Sequence, residues 1–142
     1  MKEGYKLTLL SKAVLGAVFT GLFVTLANLV YDYVYRDITN YAFSEIINVP
    51  SLIFFSMLTL LVAGVIYFVV KKLLGSDVWY MLFFVTLTVV GLFIHLGTTM
   101  PNGAPISTNA HGLTIGVFLI TGLAAAFVVP YMARHSSVWS ST

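Results

Sequence analysis

Residues 52–70 read LIFFSMLTLLVAGVIYFVV, which is 19 residues without a charge, opened by Pro50-Ser51 and stopped by Lys71-Lys72. About 20 apolar residues in a helix cross the hydrocarbon core of a bilayer. A proline at the start is pre-set for a first helical turn. This stretch is therefore read as a transmembrane helix.

Working outward, three similar segments accompany it. The spans fall at about 8–35, 50–72, 78–99 and 110–133 of one 142-residue domain. In the first, Lys12 lies near the start, so the buried part is about Ala13–Tyr33. A signal peptide competes there, with Lys2 and Lys6 before it and Thr25-Leu26-Ala27 as a loose cleavage site. The run is long for a signal core, and a span is preferred. The expected fold is all-α, a bundle of four transmembrane helices. Composition agrees: 59% of residues are apolar and 8% charged, against about 25% charged in soluble domains. The chain has no cysteine, which excludes disulfides and thiolate metal sites. No basic patch is interleaved with aromatics, which argues against nucleic acid. The expected partners are the lipid bilayer and, in a homo-oligomer or larger complex, other membrane protein.

Lys2, Lys6, Lys12, Lys71, Lys72 and Arg134 fall on one side of this layout, and Arg36 alone falls on the other. Basic residues mark the cytoplasmic side. Both termini are expected in the cytoplasm of a multi-pass cell-membrane protein, with loops 36–49 and 100–109 outside. The first loop, RDITNYAFSEIINV, mixes Ile46 and Ile47 with Asp37 and Glu45, as a short interfacial segment does. Gly75-Ser76-Asp77 reads as a tight turn with Asp77 capping the third helix. Trp79 and Tyr80 then sit at the interface. Thr108 or Asn109 is expected to cap the fourth helix, and Pro130 to bend or end it. Between the third and fourth spans, residues 94–112, IHLGTTMPNGAPISTNAHG, hold two of the three histidines and two of the four prolines.

Polar residues recur at helical spacing inside the spans. Ala13, Ala17, Gly21 and Thr25 form a ridge of small residues, a packing seam, which Asn28 and Asp32 continue. Asp32 is expected to pair with Arg36 as an exposed helix-end salt bridge. The second helix carries Ser56, Thr59 and Ala63, the third Thr88, Gly91, His95 and Thr98, and the fourth His111, Thr114, Thr121 and Ala125. Asn28, Asp32, Ser56, Thr59, His95, Thr98, His111 and Thr114 fall in the outer half and make a candidate outward pocket. Ionisable residues at membrane depth are functional candidates. The plain alternative for His95 is a neutral imidazole hydrogen-bonded to a neighbouring helix. His95 and His111 are also potential metal or haem ligands, with Met100 as a soft third. They form no His-x-x-x-His pair, and no metal or cofactor is expected from sequence. No hydrolase, metalloprotease or phosphate-binding motif occurs, and no internal repeat is evident.

His111, the Gly- and Ala-rich run after it, the segment VVPYMAR at 128–134 and Asn28 together resemble a family of small bacterial four-helix membrane proteins of uncharacterised function. The resemblance implies fold and topology, in a bacterial inner membrane, and no activity. The leading functional expectation is a non-enzymatic protein that acts by association, as accessory subunit or homo-oligomer. The alternative is a transporter or sensor that binds a small ligand or ion around His95, His111 and Asn28. A haem-binding redox protein comes third.

Overall fold

The computed structural model describes residues 8–42, 48–99, 103 and 105–135. The described chain is helical, with α1 at Leu9–Thr39, α2 at Val49–Leu74, α3 at Asp77–Leu96 and α4 at Thr108–Arg134. All four are long and apolar enough to cross a membrane. They alternate in direction. One end of the bundle gathers Lys71, Lys72 and Arg134, and the other gathers His95 and His111; these are called the basic end and the histidine end.

Local chemistry sets the helix limits. α1 runs a turn beyond its expected end: the Thr39 hydroxyl donates to Tyr35 O at 2.6 Å, and Asn40 closes the helix at φ 52°. Asn and Gly are the residues that tolerate this left-handed conformation best. α2 starts from a capping box in which Asn48 and Ser51 bond reciprocally. α3 is capped by Ser76, whose hydroxyl accepts from Val78 N, and not by Asp77. α4 is capped by Ser107, one residue before the expected Thr108. The sequence placed each cap within a residue or two, but several adjacent residues could serve. Residues 43–47 of the expected interfacial segment lie outside the described residues.

Lipid offers helices little hydrophobic reason to associate, so close backbone approach and hydrogen bonds carry the packing. The ridge on α1 supplies that approach. Gly64 of α2 sits so close to Ala17 and the Ala13 backbone that an added Cβ would overlap them. Gly21 packs on Met57 and Leu60, and Gly16 on Met132 and Ala133. Across α1 and α4, Gly112 and Gly116 make room for the rings of Tyr35 and Tyr31, and Tyr31 donates to Gly112 O at 3.0 Å. α3 is the most peripheral helix, with 17% of its apolar window buried against 39% for α1.

Pro130 does not end α4. The helix widens to π geometry over Ala124–Val128 and continues to Arg134. Val129 N bonds Ala124 O, five residues back. The next donor in that register would be Pro130, which has no N–H, so the Ala125 carbonyl is left over. Tyr80 fills the gap: its hydroxyl donates to Ala125 O at 2.7 Å from a fully buried position. Tyr80 is thus not an interface residue as its neighbour Trp79 suggested; Trp79 is exposed and Tyr80 is core.

Just beyond Tyr80, at the basic end, Asp77 joins three helices. Its Oδ1 accepts from the Tyr67 hydroxyl at 2.9 Å and lies 3.0 Å from Lys71 Nζ, while Oδ2 lies 3.0 Å from Arg134 Nε. The Tyr67 ring meets Tyr80 edge-on at 5.1 Å.

Candidate functional site

Asn28 is fully buried at the junction of α1, α2 and α4. Its Nδ2 donates to Ser56 Oγ at 2.8 Å and to Thr121 Oγ1 at 3.0 Å. Both acceptors are also buried. An amide facing lipid would be costly, and the fold answers by bringing two hydroxyls to it. The answer is incomplete. Asn28 Oδ1 and, one turn earlier on the same face, Thr25 Oγ1 are buried without a hydrogen-bond partner among the described residues. Exchanging the amide's O and N would only move the shortfall to the other atom.

A cavity of about 120 Å³ lies beside this junction, between α2, α3 and α4. Thr59, Thr88, Thr121 and the rings of Phe55, Phe84 and Phe118 are among its lining residues. Small residues open it: Gly122 stands directly against Thr88, with no room for a Cβ. The space suffices for a few water-sized molecules.

Towards the histidine end, Phe118 links the cavity to the histidine pair. His95 stacks on its ring with centroids 6.3 Å apart and planes 18° from parallel. His95 Nε2 and His111 Nδ1 are 3.3 Å apart, with ring centroids at 5.0 Å. Both rings are half-buried. The last turn of α3 and the first turn of α4 bring them together, across the loop that Thr99 and Pro105 close with a single bridge.

The sequence-selected residues therefore divide. Asn28, Ser56 and Thr59 gather at the junction and its cavity, and His95 and His111 stand together above Phe118. Asp32, Thr98 and Thr114 do not join them. Asp32 is occupied by Arg36, with Nε 2.8 Å from Oδ1, and the pair is buried, not exposed as expected. It is sheltered because the chain folds back over it: Arg36 also donates to Ala42 O at 2.8 Å and lies under the Tyr41 ring. Thr98 and Thr114 donate to carbonyls of their own chain, His95 O at 2.7 Å and Ala110 O at 2.9 Å, a local bond that relieves a hydroxyl at membrane depth. Met100 lies outside the described residues. Thr25 and Thr121 belong to the junction and Thr88 to the cavity wall; the helical stripes included all three, but none was selected as a site residue. Helical spacing had put them on the right faces, with Thr121 seven residues after Thr114 and Thr25 three before Asn28.

Comparison with protein families, with curated proteins and with solved structures finds no match to this chain.

Proposed function

We propose that this is a non-enzymatic membrane protein, a transporter or sensor, that takes up a small polar ligand or ion through its histidine end. The observation that carries the reading is Asn28 Oδ1, fully buried and unpartnered among the described residues, next to a largely apolar cavity to which Thr59, Thr88 and Thr121 contribute. A bundle built only for packing would gain by satisfying that atom or replacing it, because an unpaired buried acceptor costs about 1–3 kcal/mol. In this reading the basic end faces the cytoplasm, as the lysine and arginine distribution favours, and the histidine pair faces outward. His95 and His111 then form the entrance, Phe118 the step below it, and Asn28 and Thr59 the floor.

The absence of cysteine from the sequence provides the test. A single Thr59→Cys variant in intact cells is exposed to a membrane-impermeant thiol reagent. Only a thiolate reacts, and a thiolate requires water. The expected result is labelling from outside. Labelling only by a lipid-soluble reagent would contradict an aqueous route.

Association with another membrane protein or a second copy is the second reading. The exposed face of α3 favours it, where Trp79, Leu82, Phe83 and Val90 border an apolar groove with α2. It ranks lower because the small-residue ridge that prompted it is spent inside the bundle, against Gly64 and Met57. Native mass spectrometry from lipid nanodiscs decides it: a dimer or a stoichiometric partner supports association, and a monomer removes it.

A further inference from the structure

We infer that His95 and His111 form an exchangeable binding site for a transition-metal dication. Three features of the pair lead there. First, the spacing is a coordination spacing. Metal–imidazole bonds of about 2.0–2.1 Å at tetrahedral angles place neighbouring nitrogens about 3.3–3.4 Å apart. His95 Nε2 and His111 Nδ1 are 3.3 Å apart. Opposite ligands of one ion, as in a doubly ligated haem, would stand about 4 Å apart across the metal. The pair has the geometry of adjacent corners. Second, the two ring nitrogens already face each other at hydrogen-bond distance, so an ion that replaces the single proton between them finds both lone pairs convergent. Third, the rings are positioned from outside the pair. Stacking on Phe118 fixes His95, and the first turn of α4, capped by Ser107, fixes His111. These contacts add to the hydrogen bond between the rings in holding the two nitrogens face to face.

The donor set defines the class of ion. Two neutral imidazoles suit Zn²⁺, Cu²⁺, Ni²⁺ or Co²⁺, while Mg²⁺ and Ca²⁺ prefer oxygen. Among the described residues no Asp, Glu, Cys or third His completes a cluster with them. Two corners of the tetrahedron therefore go to water or to a passing ligand. An ion held by two protein ligands exchanges readily, unlike one in a closed structural site. That is the behaviour of an entrance or sensing site. This inference rests on the binding reading above for its biological role, and names the class of ion the entrance would take.

The test uses full-length protein in detergent, purified on a tag without histidine and titrated with Co²⁺ and Zn²⁺. The expected result is one ion per chain, with visible cobalt d–d absorption. His95→Ala and His111→Ala should each weaken binding at least tenfold, and His135→Ala should leave it unchanged. His111→Cys guards against misfolding: it should keep binding and add a thiolate-to-cobalt charge-transfer band. No stoichiometric binding by the unaltered protein, equal binding by the His95→Ala and His111→Ala variants, or a His111→Cys variant without the new band overturns the site. If metal binding fails while Thr59→Cys is still labelled from outside, only this inference falls. If the labelling fails too, the binding reading falls with it.

Discussion

The basic end and the middle of this bundle meet the same problem, polar groups inside a membrane protein, and resolve it differently. At the basic end, Pro130 orphans the Ala125 carbonyl and Tyr80 supplies the missing donor. Asp77 is matched by Tyr67, Lys71 and Arg134, drawn from α2 and α4. About a dozen residues further along α2 and α4, Asn28 receives two hydroxyls for its N–H groups, while its oxygen and that of Thr25 have no partner among the described residues. The middle is the more deeply buried of the two: Asn28 is fully buried, while Lys71 and Arg134 are partly exposed. The difference is that Ala125 O and Asp77 at the basic end are matched, whereas among the described residues Asn28 Oδ1 and Thr25 Oγ1 in the middle are not. Full satisfaction makes an end rigid. Partial satisfaction is the feature on which the proposed binding role rests.

The comparison can be broken by unfolding measurements in one mixed-micelle system. The largest loss is expected for Asp77→Ala. It strips the hydrogen-bond acceptor from Tyr67 and the ion pairs from Lys71 and Arg134, and should cost about 2–3 kcal/mol, on the scale of bonds to charged groups. Lys71 and Arg134 are partly exposed and can rehydrate, which keeps the loss from being larger. Tyr80→Phe should follow, at about 1–2 kcal/mol, because it leaves the Ala125 carbonyl buried and unpaired while keeping the ring contacts with Tyr67 and Phe84. Near-neutral results for both would show that these contacts do not hold the basic end together.

Much of this was legible in the sequence. Apolar length and charge placement were enough for four helices, because spanning a bilayer leaves a chain few alternatives. The ridge of Ala13, Ala17 and Gly21 was readable as a seam because small residues matter through spacing alone. His95 and His111 were readable as a pair because a short loop joins their helices. What escaped depends on geometry that no single helix encodes. Tyr80 beside Trp79 looks like an interface aromatic until Pro130, fifty residues away, creates a need for its hydroxyl. Gly112 and Gly116 show a small-residue spacing, but their counterparts Tyr31 and Tyr35 are large and lie on another helix. Asp32 and Arg36 were paired correctly but placed in water, since the return of the chain at Tyr41 and Ala42 carries no periodic signal. Thr98 and Thr114 matched the polar stripes by spacing, yet a threonine in a helix can satisfy itself locally.

The smallest expected stability effect tests the central claim most directly. Asn28→Ala removes two interhelical hydrogen bonds, which in membranes average about 0.6 kcal/mol each, and also removes an unpaired buried carbonyl. Ser56 and Thr121 can turn to carbonyls of their own helices. The predicted change in unfolding free energy, measured beside Tyr80→Phe in the same micelles, is within about 1 kcal/mol of zero. A loss as large as that of Asp77→Ala would mean that Asn28 is a structural clasp, and would contradict a middle kept open for a ligand.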